Sequence, residues 1–394
     1  MKIIEKSVDI YQYPTELEEN SHSITIGDLH GNVVKLAQFL LRHGVIQFKS
    51  GIDPIAGYNV LVHIYETFGE LAKLHLQRPY IREALTELVQ QFNDFMCQLE
   101  IKNKILVRLI GDEVADRGSC DYFTLRLIRF LHENDVKVTI LISNHNSEFI
   151  AAYEHLFITN ELRSLNFIIN EQKYSFFGLK LLLDEEVISE TEVKELVQIA
   201  YKPTLKILDY TLTADSIGIF SHAPTRFDVI KSLADYFGVV YEEANKEALA
   251  GTIDNINHSF KLAVKDNKVH EFFNIPWNII VENLSAAEIA QWPLIYVTWN
   301  RWDAAKETQD ARPAELHDYH IWYVHGHDNY KSQLPHVHNL DTYCGKEERK
   351  SERKRIKEAA QLLTTLPENS TLRSSVQNYL DEVHRYRVLI TDES

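Results

Sequence analysis

The chain has 394 residues, with 41 Lys and Arg against 57 Asp and Glu, for a net charge of −16. At 45% hydrophobic and 25% charged residues it has the composition of a globular protein with ample core, which excludes a disordered chain, a collagen and a disulfide-stapled miniprotein. So acidic a balance argues against gripping a nucleic-acid backbone, which needs clustered positive charge, but leaves room for a local basic pocket for one phosphate. Cys97, Cys120 and Cys344 are odd in number and widely spaced. Neither a disulfide framework nor a CxxC metal knuckle is legible, and a reducing compartment is expected. Residues 1–14 lack the apolar run of a secretory signal, and the most apolar segments fall far short of the roughly 18 residues of a membrane span. The expectation is a soluble, cytoplasmic protein with no membrane span and no nucleic-acid partner.

In chain order, residues 23–28 read as a strand and Val33–Arg42 as the helix after it. Residues 45–103 carry apolar positions at helical spacing (Val60, Ile64, Phe68, Leu71 and Leu74, then Ile81, Leu85, Leu88, Phe92 and Phe95). Pro79 marks the break between two helices of an inserted hairpin. A second strand over 104–112 and a third over 137–144 are each followed by a helical pattern, near Phe123–Leu131 and from Glu148. Phe167–Leu183 reads as extended, and 215–224 as a strand ending in a polar turn. Residues 226–292 read as a helical cap over the site. Residues 294–301, 320–327 and 336–342 read as returning strands of a second sheet. Beyond Gly345 the chain is strongly charged and helical, the pattern of a solvated face. Strand–turn–helix repetition predicts an α/β sandwich. The domain reading is one unit over 1–345 carrying the 45–103 and 226–292 insertions, then a charged, mainly helical extension over 346–394.

The polar turns that end the strands carry the chemistry. Asp28 and His30 follow the first strand, Asp112 ends the second, Asn144 ends the third, and His222 and His327 follow later ones. Ligand sites in open α/β sheets lie at the carboxyl ends of strands. Oxygen and imidazole donors without thiolate suit one or two divalent ions, Mn first, with Fe and Zn as alternatives. Two ions about 4 Å apart can activate a water and clamp a phosphate.

These turns resemble a known family. GDLHG (27–31), GDEVADRG (111–118), SNHNSE (143–148), SHAP (221–224) and HGHD (325–328), in this order, are similar to the metallophosphoesterase, or calcineurin-like, signature in its phosphoprotein phosphatase (PPP) branch. VTWNR (297–301) and NLDTYCG (339–345) are similar to segments of bacterial members. The divergent core, the inserted hairpin and the acidic composition resemble the Wip-type phosphatases that Legionella delivers into host cells, which adds delivery into a host as an alternative location. The resemblance implies a sandwich of two mixed β-sheets flanked by helices. It implies a dinuclear centre: Asp28, His30 and Asp112 on the first metal, and Asp112, Asn144, His222 and His327 on the second, with a hydroxide held between them as the attacking group. It also implies His145 as general acid, Asp116 as the residue that orients it, and Arg117, Arg301 and His145 as phosphate contacts. The substrates it implies are phosphorylated proteins, phosphoserine and phosphothreonine by family default, with phosphotyrosine as an option set by pocket depth.

Departures from that pattern concentrate at the phosphate contacts rather than at the metal ligands. Ala115 is inserted before Asp116-Arg117, Asn146 stands where the family has Glu, with Glu148 as a candidate substitute, and His325 replaces an Arg. Two other readings are kept: a nucleotide pyrophosphohydrolase of the diadenosine-tetraphosphate type, and a decayed site serving as a binding module. The Cys120-x5-Arg126 spacing matches cysteine-dependent tyrosine phosphatases, but the intervening residues are bulky and lack the glycines of a phosphate-binding nest. It is read as coincidence.

Overall fold

The computed structural model describes residues 1–18, 23–74, 81–159, 173–276, 279–346, 350–368 and 370–391. The chain opens with β1 (Lys2–Ser7), β2 (Ser23–Ile26) and α1 (Val33–Arg42). Asn32 caps α1 through its side chain, which accepts from the amides of Val34 and Lys35. β3 (Ile46–Phe48), α2 (Pro54–Leu74), α3 (Arg82–Cys97) and β4 (Leu99–Ile101) form the inserted hairpin. The antiparallel β3–β4 pair clasps its base. Ile64, Phe68, Leu85 and Phe92 are fully buried, as their spacing predicts, whereas Val60 faces solvent. Pro79, the expected break, lies outside the described residues.

β5 (Leu106–Leu109), α4 (Asp121–Glu133), β6 (Val138–Leu141) and α5 (Asn144–Tyr153) repeat the strand–turn–helix unit. Next come α6 (Tyr174–Asp184), α7 (Glu190–Glu195), β7 (Leu205–Lys206), β8 (Asp209–Leu212) and β9 (Ser216–Phe220). The 167–183 segment is therefore helical rather than extended from Tyr174 onward, and 167–172 lies outside the described residues. Its apolar run fits a helix buried on several sides as well as a strand, and periodicity alone does not separate the two.

α8 (Phe227–Phe237), α9 (Lys246–Lys265), α10 (Val269–Phe272) and α11 (Ala286–Gln291) fill the expected helical region. α9 packs against β8 and β9. α12 (Pro293–Trp299) corrects a second expectation, because it was read as a strand. Pro293 sits at the helix start, where its missing N–H costs nothing, and Thr298 Oγ1 donates back to the Leu294 carbonyl at 2.8 Å. β10 (Glu315–Leu316), β11 (Tyr319–His325) and β12 (Val337–Asn339) follow, then α13 (Lys350–Thr365), α14 (Thr371–Val383) and β13 (Arg385–Thr391).

The strands form two mixed sheets. The first runs β1-β13-β2-β5-β6-β7 and the second β10-β11-β9-β8, with β12 added beside β11. β2, β5, β6 and β7 are parallel, and β13 enters antiparallel between β1 and β2. The C-terminal segment is thus mainly helical, as its composition suggests, but its last strand is an interior member of the main sheet. Ile24 and Ile26 face the large helix-side core, while Ile110, Leu141 and Leu389 meet Phe220, Val324 and Leu340 in a small apolar cluster shared by the two sheets.

One charged pair also lies between the sheets. Arg108 of β5 is fully buried, donates from Nε to Asp209 Oδ2 at 2.6 Å and lies 3.9 Å over the Phe220 ring. Burial opposes ionisation of Asp209, yet Arg108 and Lys206 hold its carboxyl below the usual range. Removing one partner of such a pair leaves a buried, unpaired charge. Asp209→Ala should therefore cost about 3–5 kcal/mol in urea unfolding, and a loss below about 1 kcal/mol would contradict the pairing.

Candidate active site

Each functional side chain sits where a buried strand gives way to a turn. The turns are tight and strained. His30, Asp112, Ala115 and His327 all have left-handed backbone, with φ of 57°, 54°, 53° and 60°. For residues with a Cβ this costs roughly 1–2 kcal/mol each, and such conformations persist where the surroundings enforce them. Gly326 shows why the packing is so close: a Cβ there would lie 2.0 Å from Asp28 Oδ1. No other residue fits between the two loops.

Asp28, Asp112, His222 and His327 bring one donor atom each to within 4.8 Å of the others, all four residues buried. Asn144 joins them, with Oδ1 3.0 Å from His222 Nε2. Asp112, Asp116 and His145 form a second, overlapping group. His30 belongs to neither: its Nδ1 is 3.3 Å from Asp116 Oδ2, and its Nε2 is 3.1 Å from the Thr342 carbonyl and 3.4 Å from Asp341 Oδ1.

The donor set fits divalent cations. Asp28 Oδ1, Asp112 Oδ1, Asp116 Oδ1, His327 Nε2 and Asp341 Oδ1 are buried and have no hydrogen-bond partner. Leaving that many buried ligand atoms unpaired would cost several kcal/mol, and a bound cation removes the cost. The tautomer of His222 is suited to the task. Nδ1 donates to the Ile110 carbonyl at 3.1 Å, which turns the Nε2 lone pair toward Asn144 Oδ1 and Asp112 Oδ1.

Electrostatics divide the carboxylates. Burial, followed by the neighbouring Asp341 and Asp112 carboxylates, pushes Asp28 well above the usual range. Burial also opposes ionisation of Asp112, but His222 and His145 with the Ser143 hydroxyl hold it low. His145 is the reverse case: burial lowers its proton affinity, but Asp116 and Asp112 raise it beyond the usual imidazole value. Its Nδ1 donates to the Ala115 carbonyl at 2.8 Å, and its Nε2 lies 3.6 Å from Asp116 Oδ1.

The departures noted in the sequence have structural answers. The inserted Ala115 supplies the carbonyl that fixes the His145 ring. Its own amide is held by both oxygens of Asp121, at 3.0 Å each. Ser175, at the start of α6, clamps Asp116 through its amide and carbonyl. The carboxylate that meets Asn146 is Glu113 and not Glu148. Asn146 Nδ2 donates to Glu113 Oε1 at 3.2 Å, Tyr201 donates to the same oxygen, and burial pushes the Glu113 carboxyl up to about 7. Glu148 instead pairs with Lys173 at 2.7 Å. His325 is buried and bonded to the Gly326 carbonyl.

Arg301 is exposed at the rim and donates to the His327 carbonyl at 2.6 Å, and Arg117 is half-buried beside Asp116. Sequence reasoning did not assign Asp341, Lys346, Lys35, Glu113 or Asp121. Asp341 lies within NLDTYCG, a segment noted for its likeness but not for a side-chain role. Lys35 is fully buried and donates to the Asp28 carbonyl at 2.6 Å.

Cys120 is a buried residue just before α4, and burial holds its thiol far above the usual range. Arg126 is engaged by Tyr122 and Glu192. The Cys-x5-Arg spacing therefore builds no phosphate cradle. Cys120→Ser should leave phosphatase turnover within about twofold of the wild type, since a protonated buried thiol is a poor nucleophile; a collapse of kcat would overturn that assignment.

Residues 106–346 match the family described as "WipA-like, phosphatase domain". The phosphatase domain of the Legionella effector WipB superposes with a TM-score of 0.65 at 28% identity, over 78% of this chain and 100% of that one. No curated protein matches. The family match spans more than half of the chain and takes in Asp112, Asp116, His145, His222 and His327. The chain therefore belongs to the WipA-like phosphatase domain family and is a phosphatase.

Proposed function

We propose that the chain is a metal-dependent protein phosphatase of the PPP type that hydrolyses phosphate monoesters on phosphoproteins. The observation that carries this reading is the convergence of Asp28, Asp112, His222 and His327, each with a ligand atom within 4.8 Å of the others, with Asn144 beside them. Asp28, Asp112, Asn144, His222 and His327 would hold two divalent ions, Mn by preference, with His30 beside them. When bound, such ions make water nucleophilic at neutral pH and neutralise charge on the phosphoryl group.

The chain's own residues do the rest. His145 is fixed by the Ala115 carbonyl, and Asp116 raises its proton affinity, which suits it to deliver a proton to the departing alkoxide or phenoxide oxygen. Arg117 and Arg301 present guanidinium forks suited to phosphate oxygens. Glu113, Asn146 and the Ser143 cap hold the Asn144-His145 turn in place. No side-chain nucleophile is required. Likeness to the phosphatase domain of a Legionella effector supports a role for this chain as an effector acting on host phosphoproteins.

Turnover of p-nitrophenyl phosphate tests the reading. Mn²⁺ should support it and chelator should abolish it. Asp112→Asn should remove it along with bound metal, and His145→Ala should lower kcat by about 10²–10⁴-fold. Unchanged rates in chelator would refute metal dependence. Faster hydrolysis of a dinucleoside polyphosphate than of a phosphopeptide would move the substrate class to nucleotides.

A further inference from the structure

The centre has a neighbour that is not among the five residues proposed above to hold the ions. Asp341 lies in the loop after β12, and its carboxylate is 3% exposed. One oxygen, Oδ2, pairs with Lys346 Nζ at 3.0 Å. The other, Oδ1, has no hydrogen-bond partner although His30 Nε2 is only 3.4 Å away. The Thr342 carbonyl, a second acceptor, is 3.1 Å from the same nitrogen. With the ring proton on Nδ1, 3.3 Å from Asp116 Oδ2, Nε2 keeps a lone pair that faces these two oxygens.

Two carboxylates, Asp116 and Asp341, flank His30, each with a buried oxygen that lacks a hydrogen-bond partner. Asp328 shows the contrast. It is a buried carboxylate on the neighbouring loop, and both its oxygens are taken by backbone amides, Trp302 N at 2.7 Å and Tyr330 N at 2.5 Å. Asp328 is saturated where it stands; Asp341 is not.

We propose that Asp341 is a metal-ligating residue: its Oδ1 serves the ion on the Asp28–His30 side, and Lys346 fixes the carboxylate from behind. Donor atoms that share an ion at about 2.1 Å lie roughly 3.0–3.4 Å apart, the range of the Asp341–His30 approach. This arrangement gives His30, which stands outside the four-residue cluster, a partner for holding metal. The inference rests on reading the site as a two-metal centre.

Calorimetric titration of the metal-stripped full chain with Mn²⁺ tests it, independently of turnover. The wild type should take up two ions per chain. Asp341→Asn keeps the shape of the side chain and removes the charge; it should weaken one of the two sites by about tenfold or more and leave the other within twofold. Should that variant fail to fold, as read by thermal melting in chelator, Asp341→Glu serves instead. It keeps the charge, moves it by one methylene, and should weaken the same site. Two sites of wild-type affinity in the folded variant would overturn the role of Asp341 and leave the proposed function standing. A wild type that binds no Mn²⁺ would overturn both.

Discussion

A group of buried carboxylates, each with an oxygen that no donor satisfies, governs this structure. Asp28, Asp112, Asp116 and Asp341 are buried together, and the imidazoles of His222 and His327 face the same space. A protein interior tolerates such a group only when something positive stands among its members. The left-handed turns at His30, Asp112, Ala115 and His327 follow from the same constraint, since each re-aims a strand end so that its side chain or carbonyl reaches the centre.

The sandwich supplies the rigidity that keeps this arrangement in place. β2, β5 and β6 of the first sheet and β9 and β11 of the second all release their chains toward one edge, which brings residues nearly 300 positions apart into contact, such as Asp28 Oδ2 and the amide of His327 at 3.0 Å. Behind that edge the two sheets share a small apolar cluster. Outside it, α6 and the helical turn ending at Tyr201 reach inward to clamp particular groups: Ser175 on Asp116, and Tyr201 on Glu113. The His145–Asp116 pair is thus held by three separate stretches of chain: 115–121, 145 and 175.

Much of this was legible from residue types and spacing. β2, β5, β6 and β9 are short apolar runs that end in polar turns, and the order of those turns pointed to the family that the comparison of residues 106–346 then bore out. The helical hairpin followed from a 3.6-residue period. Misreadings came where burial hides the period. α12 and α6 are apolar on nearly every side, so β-branched and aromatic residues in α12 looked like a strand. β13 was invisible for a different reason: it pairs with β1 and β2 from the far end of the chain, and no local signal records a partner that distant. Within the site, the residues most easily read were those whose motif was complete. Glu113 and Asp341 make contacts between loops, and spacing along one loop carries no trace of them.

The account stands or falls on cations occupying the space between these side chains. Crystals of the full chain grown with Mn²⁺ and measured at the manganese absorption edge would test this most directly. The account predicts two anomalous peaks about 4 Å apart, bounded by Asp28, Asp112, Asn144, His222 and His327. Diffraction that shows no manganese among those five residues, or shows it bound elsewhere on the molecule, would contradict it.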